Sequence, residues 1–120
     1  MNSYRTLAAW KHAHAALIMT YRTTDEANHP RKYSLFDQIR RAVVSVEANI
    51  VEGYALNTAP LFKKHLRIAF GSAAETETLI RAAGELSYLD QTSADAIEGA
   101  LGQALRSIRG LMRSPPVTAR

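Results

Sequence analysis

The stretch from Gln38 to Gly53 constrains this chain more than any other. Leu35, Ile39, Ala42, Val46, Asn49 and Gly53 follow one another at spacings that alternate between four and three. That repeat is the mark of one helix face packed against other helices. Val43 and Ile50 widen the apolar face, and Arg40, Arg41, Glu47 and Glu52 stand among these residues. The segment therefore reads as a long core helix with polar groups close to its buried stripe.

The same period recurs along the chain. Leu7, Trp10, His14, Leu17 and Tyr21 predict a first helix over 6–23, with Thr6 as its N-cap. Asn28-His29-Pro30 interrupts it, because proline disfavours helix in the residue before it. Ser34, with Asp37 three residues on, marks the start of a second helix over 34–56, which Asn57-Thr58 breaks. Ala59-Pro60 opens a third over 59–85, with Phe62, Leu66, Ala69, Ala73, Thr76, Ile80 and Ala83 as its stripe. Leu86, Tyr88 and Leu89 form an apolar turn over the bundle end. Thr92 opens a fourth helix over 92–112, striped by Ile97, Leu101, Ala104, Ile108 and Leu111. Gly99, Gly102 and Gly110 weaken that helix and leave room for close approach of another backbone. No strand signal of useful length is present. The expected fold is all-α, an antiparallel up-down-up-down four-helix bundle over 1–113, with residues 114–120 as a disordered tail carrying Pro115-Pro116.

Composition narrows the chemistry. A chain of 120 residues makes one domain with a real core. It has no cysteine, which excludes disulfides and cysteine-ligated metal. No apolar run reaches membrane-spanning length and the N-terminus lacks a signal-peptide core, so no membrane is expected and the location reads as cytoplasmic. The net charge of +4 permits a polyanionic partner without establishing one.

Enzymatic and metal chemistry lack candidates. A di-iron bundle needs two inward Glu-x-x-His motifs, and the spacing occurs once, at Glu26 and His29, in a loop. His14 reads as a satisfied histidine on a packed face, and His12 and His65 as solvated ones. Ser45 and Ser72 are mid-helix serines outside any nucleophile elbow, and Ser72 is expected to bond a carbonyl one turn back. Glu75 and Glu77 project from different sides of a helix. No glycine-rich phosphate loop exists. No catalytic residue, metal or cofactor is assigned, and a non-enzyme is expected. Asn49, Glu52 and Glu77 read as a structural polar core that sets register, against a binding site inside the bundle.

The basic residues stay open between two readings. Lys63, Lys64 and Arg67 form a face on the third helix, and Arg40 and Arg41 add two cations on the second. Arg106, Arg109 and Arg113 lie along one side of the fourth. They are either a solvated face with ion pairs or a surface that tracks phosphates. No aromatic is interleaved with them as a stacking platform requires.

The ordered set of residues resembles a known family. Leu7, Trp10 and Ala13 are followed by Tyr33-Ser34-Leu35 and Gln38-Ile39-Arg40-Arg41-Ala42. Val44-Ser45-Val46, Ala48-Asn49-Ile50, Glu52-Gly53, Phe62, Ile68-Ala69, Gly71-Ser72, Glu75-Thr76-Glu77 and Tyr88-Leu89 complete it. The chain is similar to the four-helix bundle proteins encoded in intervening sequences of 23S ribosomal RNA genes, a family that includes the accessory variability determinant of diversity-generating retroelements. The resemblance implies a ring-like homopentamer without enzymatic activity. It also implies nucleic acid (RNA or DNA) or a reverse transcriptase as partner. The nucleic-acid surface is then expected at Arg40, Arg41, Lys63, Lys64 and Arg67. The alternative is a protein-interaction scaffold whose basicity is incidental. Glu47 departs from the pattern, since the family usually has proline there, and Tyr54 to Thr58 lacks the basic residues that commonly follow the Glu-Gly pair.

Overall fold

The computed structural model describes residues 3–114, so the expected tail from 115 lies outside them. Four helices carry the fold: α1 (Ala8–Glu26), α2 (Tyr33–Leu56), α3 (Ala59–Glu85) and α4 (Gln91–Arg113). Short 3₁₀ turns at Tyr4–Thr6 and Pro30–Lys32 precede α1 and α2, and the described residues contain no strand. Each helix packs on two neighbours in the cyclic order α1, α2, α3, α4, without backbone contact across the diagonals. Facing pairs on α2 and α3 run in opposite order: Gln38 with Glu75, Ser45 with Ser72, Asn49 with His65. The molecule measures 45 × 21 × 21 Å.

The helix ends are chemically specified, though not always as expected. Thr6 does not cap α1; it lies in the 3₁₀ turn capped by Ser3, and Leu7 stands at the N-cap without a side-chain bond. Ser34 likewise does not start α2. His29 accepts the Arg31 N–H on Nδ1, the Pro30 turn follows, and its geometry feeds directly into Tyr33. Thr58 caps α3, with Pro60 in the first turn where a missing N–H costs nothing. Asp90, not Thr92, caps α4 by accepting the Ser93 N–H at 2.8 Å. That bond, joined by the Ser93 hydroxyl, holds the Asp90 carboxyl below its ordinary pKa. Ser87 takes a left-handed φ of 60° after α3, and the Tyr88 N–H returns to the Ala83 carbonyl in a Schellman-type closure.

The expected stripe of α3 is the buried one, Phe62, Leu66, Ala69, Ala73, Thr76, Ile80 and Ala83; on α4 Ile97, Leu101, Ala104 and Ile108 are buried, while Leu111 is only half-buried. α1 differs. Its buried face is Ala9, Ala13, Ala16, Thr20 and Thr24, while Trp10, His14, Leu17 and Tyr21 are half-buried at its margin. Both sets repeat with helical period. The small set faces inward because it lets α1 approach α4, and the large amphipathic set keeps its polar tips at the boundary where partners exist. On α2, Phe36 rather than Leu35 enters the core, at 1% exposure. Gly53 has a structural reason: a Cβ there would stand 2.7 Å from the His65 Cβ. The glycines of α4 have none of this kind, since Gly99 and Gly110 face open space and Gly102 meets only Arg106 at 3.8 Å.

The core divides lengthwise into two clusters. One gathers the start of α1, the end of α2, the start of α3 and the end of α4, around Val46, Phe62, Leu66 and Ile108. The other gathers the opposite ends, around Phe36, Ile39, Ile80 and Leu101.

Candidate functional site

The two core clusters divide the surface charge. Around the first lie Arg5, Lys11, Lys63, Lys64, Arg67, Arg106, Arg109 and Arg113, against Glu47, Glu52 and, in one groove with Arg106 and Arg109, Glu77. Around the second, eight carboxylates from Asp25 to Glu98 outnumber six lysines and arginines. The modest net charge of +4 thus conceals a polarised bundle with one strongly basic end.

The five expected cations do not form one surface. Lys63, Lys64 and Arg67 are exposed on α3 around a shallow groove with Pro60 and Ile68, and no carboxylate pairs with them among the described residues. They lie level with Val51 of α2. Arg40 and Arg41 stand about eleven residues earlier, roughly 16 Å away along the axis at ~1.5 Å per residue. Both are also engaged. Arg40 donates to Thr24 Oγ1 at 3.0 Å and to Asp25 at 2.7 Å, with its guanidinium over the Tyr21 ring. Arg41 pairs with Asp37 at 2.8 Å on its own helix.

The α4 arginines reach α3 at another point. Arg109 lies over Phe70 of α3, 5.0 Å from the ring centroid. An aromatic side chain is therefore interleaved with basic residues after all. Arg67 already precedes Phe70 by three residues on α3, and only Arg109 was hidden, because it meets Phe70 when α3 packs on α4. Phe70, Glu77, Gly102, Leu105, Arg106 and Arg109 line a groove of about 340 Å³.

The polar seam between α2 and α3 is one network. Asn49 donates through Nδ2 to the Ser45 carbonyl at 2.8 Å, which turns its Oδ1 toward His65 Nδ1 at 2.9 Å. Since Oδ1 only accepts, His65 carries its proton on Nδ1. Glu52 approaches the same nitrogen at 3.3 Å from an exposed position. His65 is thus largely buried and bonded, not solvated. Ser72 meets the Ser45 hydroxyl at 2.8 Å rather than a carbonyl of its own helix. Glu77 stands apart from this network at the α4 groove, and it forms no hydrogen bond or ion pair among the described residues.

A second constellation escaped the sequence reading. Glu47, its side chain 19% exposed, accepts the Trp10 indole N–H at 2.9 Å and meets His14 Nδ1 at 3.0 Å, while the Trp10 and His14 rings stack at 4.8 Å. The signal was there in a carboxylate beside a core stripe, facing Trp10 and His14 one turn apart. Beside it, Tyr4, His14, Leu17, Val44, Glu47, Ala48, Val51 and Glu52 line an open groove of about 660 Å³ between α1 and α2. Its lining is mostly apolar, and Val44 is 40% exposed. Among the described residues no three His, Asp or Glu side chains group as metal ligands, and no helix is long and apolar enough to cross a membrane.

A family model described as 23S rRNA-intervening sequence protein matches residues 5–110. The match covers α1, α2 and α3 whole and α4 to Gly110. No curated protein matches the chain.

Proposed function

The chain belongs to the 23S rRNA-intervening sequence protein family, and on that premise we propose that it is a non-enzymatic accessory protein that binds nucleic acid, RNA foremost, with little sequence preference. The observation that carries this reading is the segregation of charge. Lys63, Lys64 and Arg67 on α3 and Arg106, Arg109 and Arg113 on α4 form no ion pair among the described residues, although Glu77 lines the groove with Arg106 and Arg109. Lys63 and Lys64 do not serve their own helix, since the N-terminal end of α3 favours negative charge. A polyanion satisfies them through phosphate contacts that need no base readout. Arg40 and Arg41, already held by Asp25 and Asp37, contribute only to the general field.

In this reading the helices alternate in direction as an antiparallel bundle, and protomers assemble into a ring, as a homopentamer. The mostly apolar groove between α1 and α2, with Val44, Ala48 and Val51 on its α2 wall, supports such a contact face. Repetition of one basic end around a ring multiplies weak contacts. The same groove also favours a second reading, in which a protein such as a reverse transcriptase docks there and the chain is a scaffold.

The test is a titration of generic RNA and DNA from low to physiological salt, with light scattering on the same sample. Binding that weakens steeply as salt rises is expected, because each neutralised phosphate releases counterions. Absence of binding at low salt would leave the scaffold reading. A monomer mass at micromolar concentration would remove the ring.

A further inference from the structure

We infer that the α3–α4 groove takes an unpaired nucleobase, with guanine preferred, so that the ligand of the basic end is single-stranded rather than duplex nucleic acid. The inference rests on the nucleic-acid reading above and adds to it a site with a chemistry of its own.

The groove joins three features that phosphate tracking does not need. Its floor is Phe70, half-buried, with the Arg109 guanidinium over it at 5.0 Å. Bases stack on aromatic rings and on guanidinium planes, and the exposed Arg109 guanidinium, backed by the Phe70 ring, offers such a shelf. One wall is Gly102, whose missing side chain leaves the groove open: a Cβ there would meet nothing closer than Arg106 at 3.8 Å. The third feature is Glu77. A carboxylate without a partner beside two arginines is out of place on a surface selected only to attract phosphates. It only accepts hydrogen bonds, so it selects base edges that donate. Guanine presents an imino and an amino N–H side by side on its pairing edge, and uracil presents one N–H flanked by carbonyl oxygens. In a duplex those donors are already paired and the base faces are stacked, so the groove has nothing to read. Arg106, on the same wall, is placed for the adjoining phosphate. A volume of about 340 Å³ accommodates one base.

The experiment measures fluorescence anisotropy of three labelled probes at one fixed low salt: a short oligouridylate, the same strand carrying interior guanosines, and a perfectly paired RNA duplex of equal length. The wild-type protein is expected to bind the guanosine-bearing strand several-fold more tightly than oligouridylate, and the duplex most weakly. Glu77→Gln should erase the guanosine preference, and loss of its negative charge beside Arg106 and Arg109 should raise rather than lower oligouridylate affinity. Gly102→Gln should fill the groove and cost single-strand affinity about tenfold, the scale of one lost stacking contact. It should also hold or raise the melting temperature, because glutamine is the better helix former. Phe70→Leu should act in the same direction, but it also touches the core, so Gly102→Gln is the cleaner variant. Equal affinity for strand and duplex, with both unaffected by Gly102→Gln and Glu77→Gln, would overturn the base site while leaving phosphate binding intact. Binding of no probe would overturn both.

Discussion

Replacing Gly53 with alanine sets two known effects against each other. In a helix interior alanine is favoured over glycine by about 1 kcal/mol. At Gly53, however, the new methyl stands 2.7 Å from the His65 Cβ, 3.1 Å from the Phe62 ring and 3.4 Å from the Phe62 carbonyl. The first of these atoms is anchored directly to the α3 backbone and cannot swing aside. Relief requires α2 and α3 to separate, which strains Phe62 in the core and stretches the bond from His65 to Asn49. Overpacking of this kind costs about 1–3 kcal/mol, so Gly53→Ala should be net destabilising by about 1 kcal/mol. Gly71 provides the control, since it lies mid-helix on α3 with nothing within 4 Å of the added carbon. Gly71→Ala should gain about 1 kcal/mol. The two variants should melt roughly 6–12 °C apart, at ~3–6 °C per kcal/mol for a domain of this size. Circular dichroism melts at one fixed protein concentration decide the matter, because assembly makes melting concentration-dependent. If Gly53→Ala stabilises as much as Gly71→Ala, the close approach of α2 and α3 is wrong.

Three further outcomes follow from single sites. Thr20 is fully buried on α1 and its hydroxyl has no hydrogen-bond partner among the described residues. Thr20→Val keeps the shape and should raise stability by about 1 kcal/mol, read by urea denaturation. Ser87→Gly should also stabilise, by about 1 kcal/mol, because a side chain in the left-handed region is strained. For Asp90, a depressed native pKa means that its contribution is present above the ordinary aspartate pKa and is lost as pH falls through the native one. Asp90→Asn should therefore flatten the acid limb of the stability profile, and an unchanged slope would contradict the cap.

Much of the fold was legible because α3 and α4 each carry one stripe that is both apolar and periodic. The proline at 60 and the left-handed Asn57 also punctuate α2 and α3 unambiguously. α1 was legible as a helix but not in its rotation. Ala9, Ala13 and Ala16 share the period of Trp10, His14 and Leu17, and hydrophobicity favours the larger set. Burial went to the smaller because backbone proximity, not side-chain volume, limits the α1–α4 contact. The candidate site was half legible. Lys63, Lys64 and Arg67 cluster within one turn of sequence with Phe70 three residues on, but Arg109 meets Phe70 only through packing. Arg40 and Arg41 looked equivalent in sequence, and only packing against α1 shows Arg40 held there by Tyr21, Thr24 and Asp25.

The central claim is that location, not total charge, makes the basic end the binding surface. Two double variants with the same charge change test it: Lys63→Gln/Lys64→Gln at the basic end and Arg31→Gln/Arg41→Gln at the acidic end. The measurement is RNA affinity as a function of salt for both, beside the wild type. The account predicts that the first pair loses affinity and lowers the salt slope by roughly two contacts, at about 0.7–0.9 per phosphate, while the second stays close to wild type. Equal losses from the two pairs would contradict it and reduce the binding to net charge.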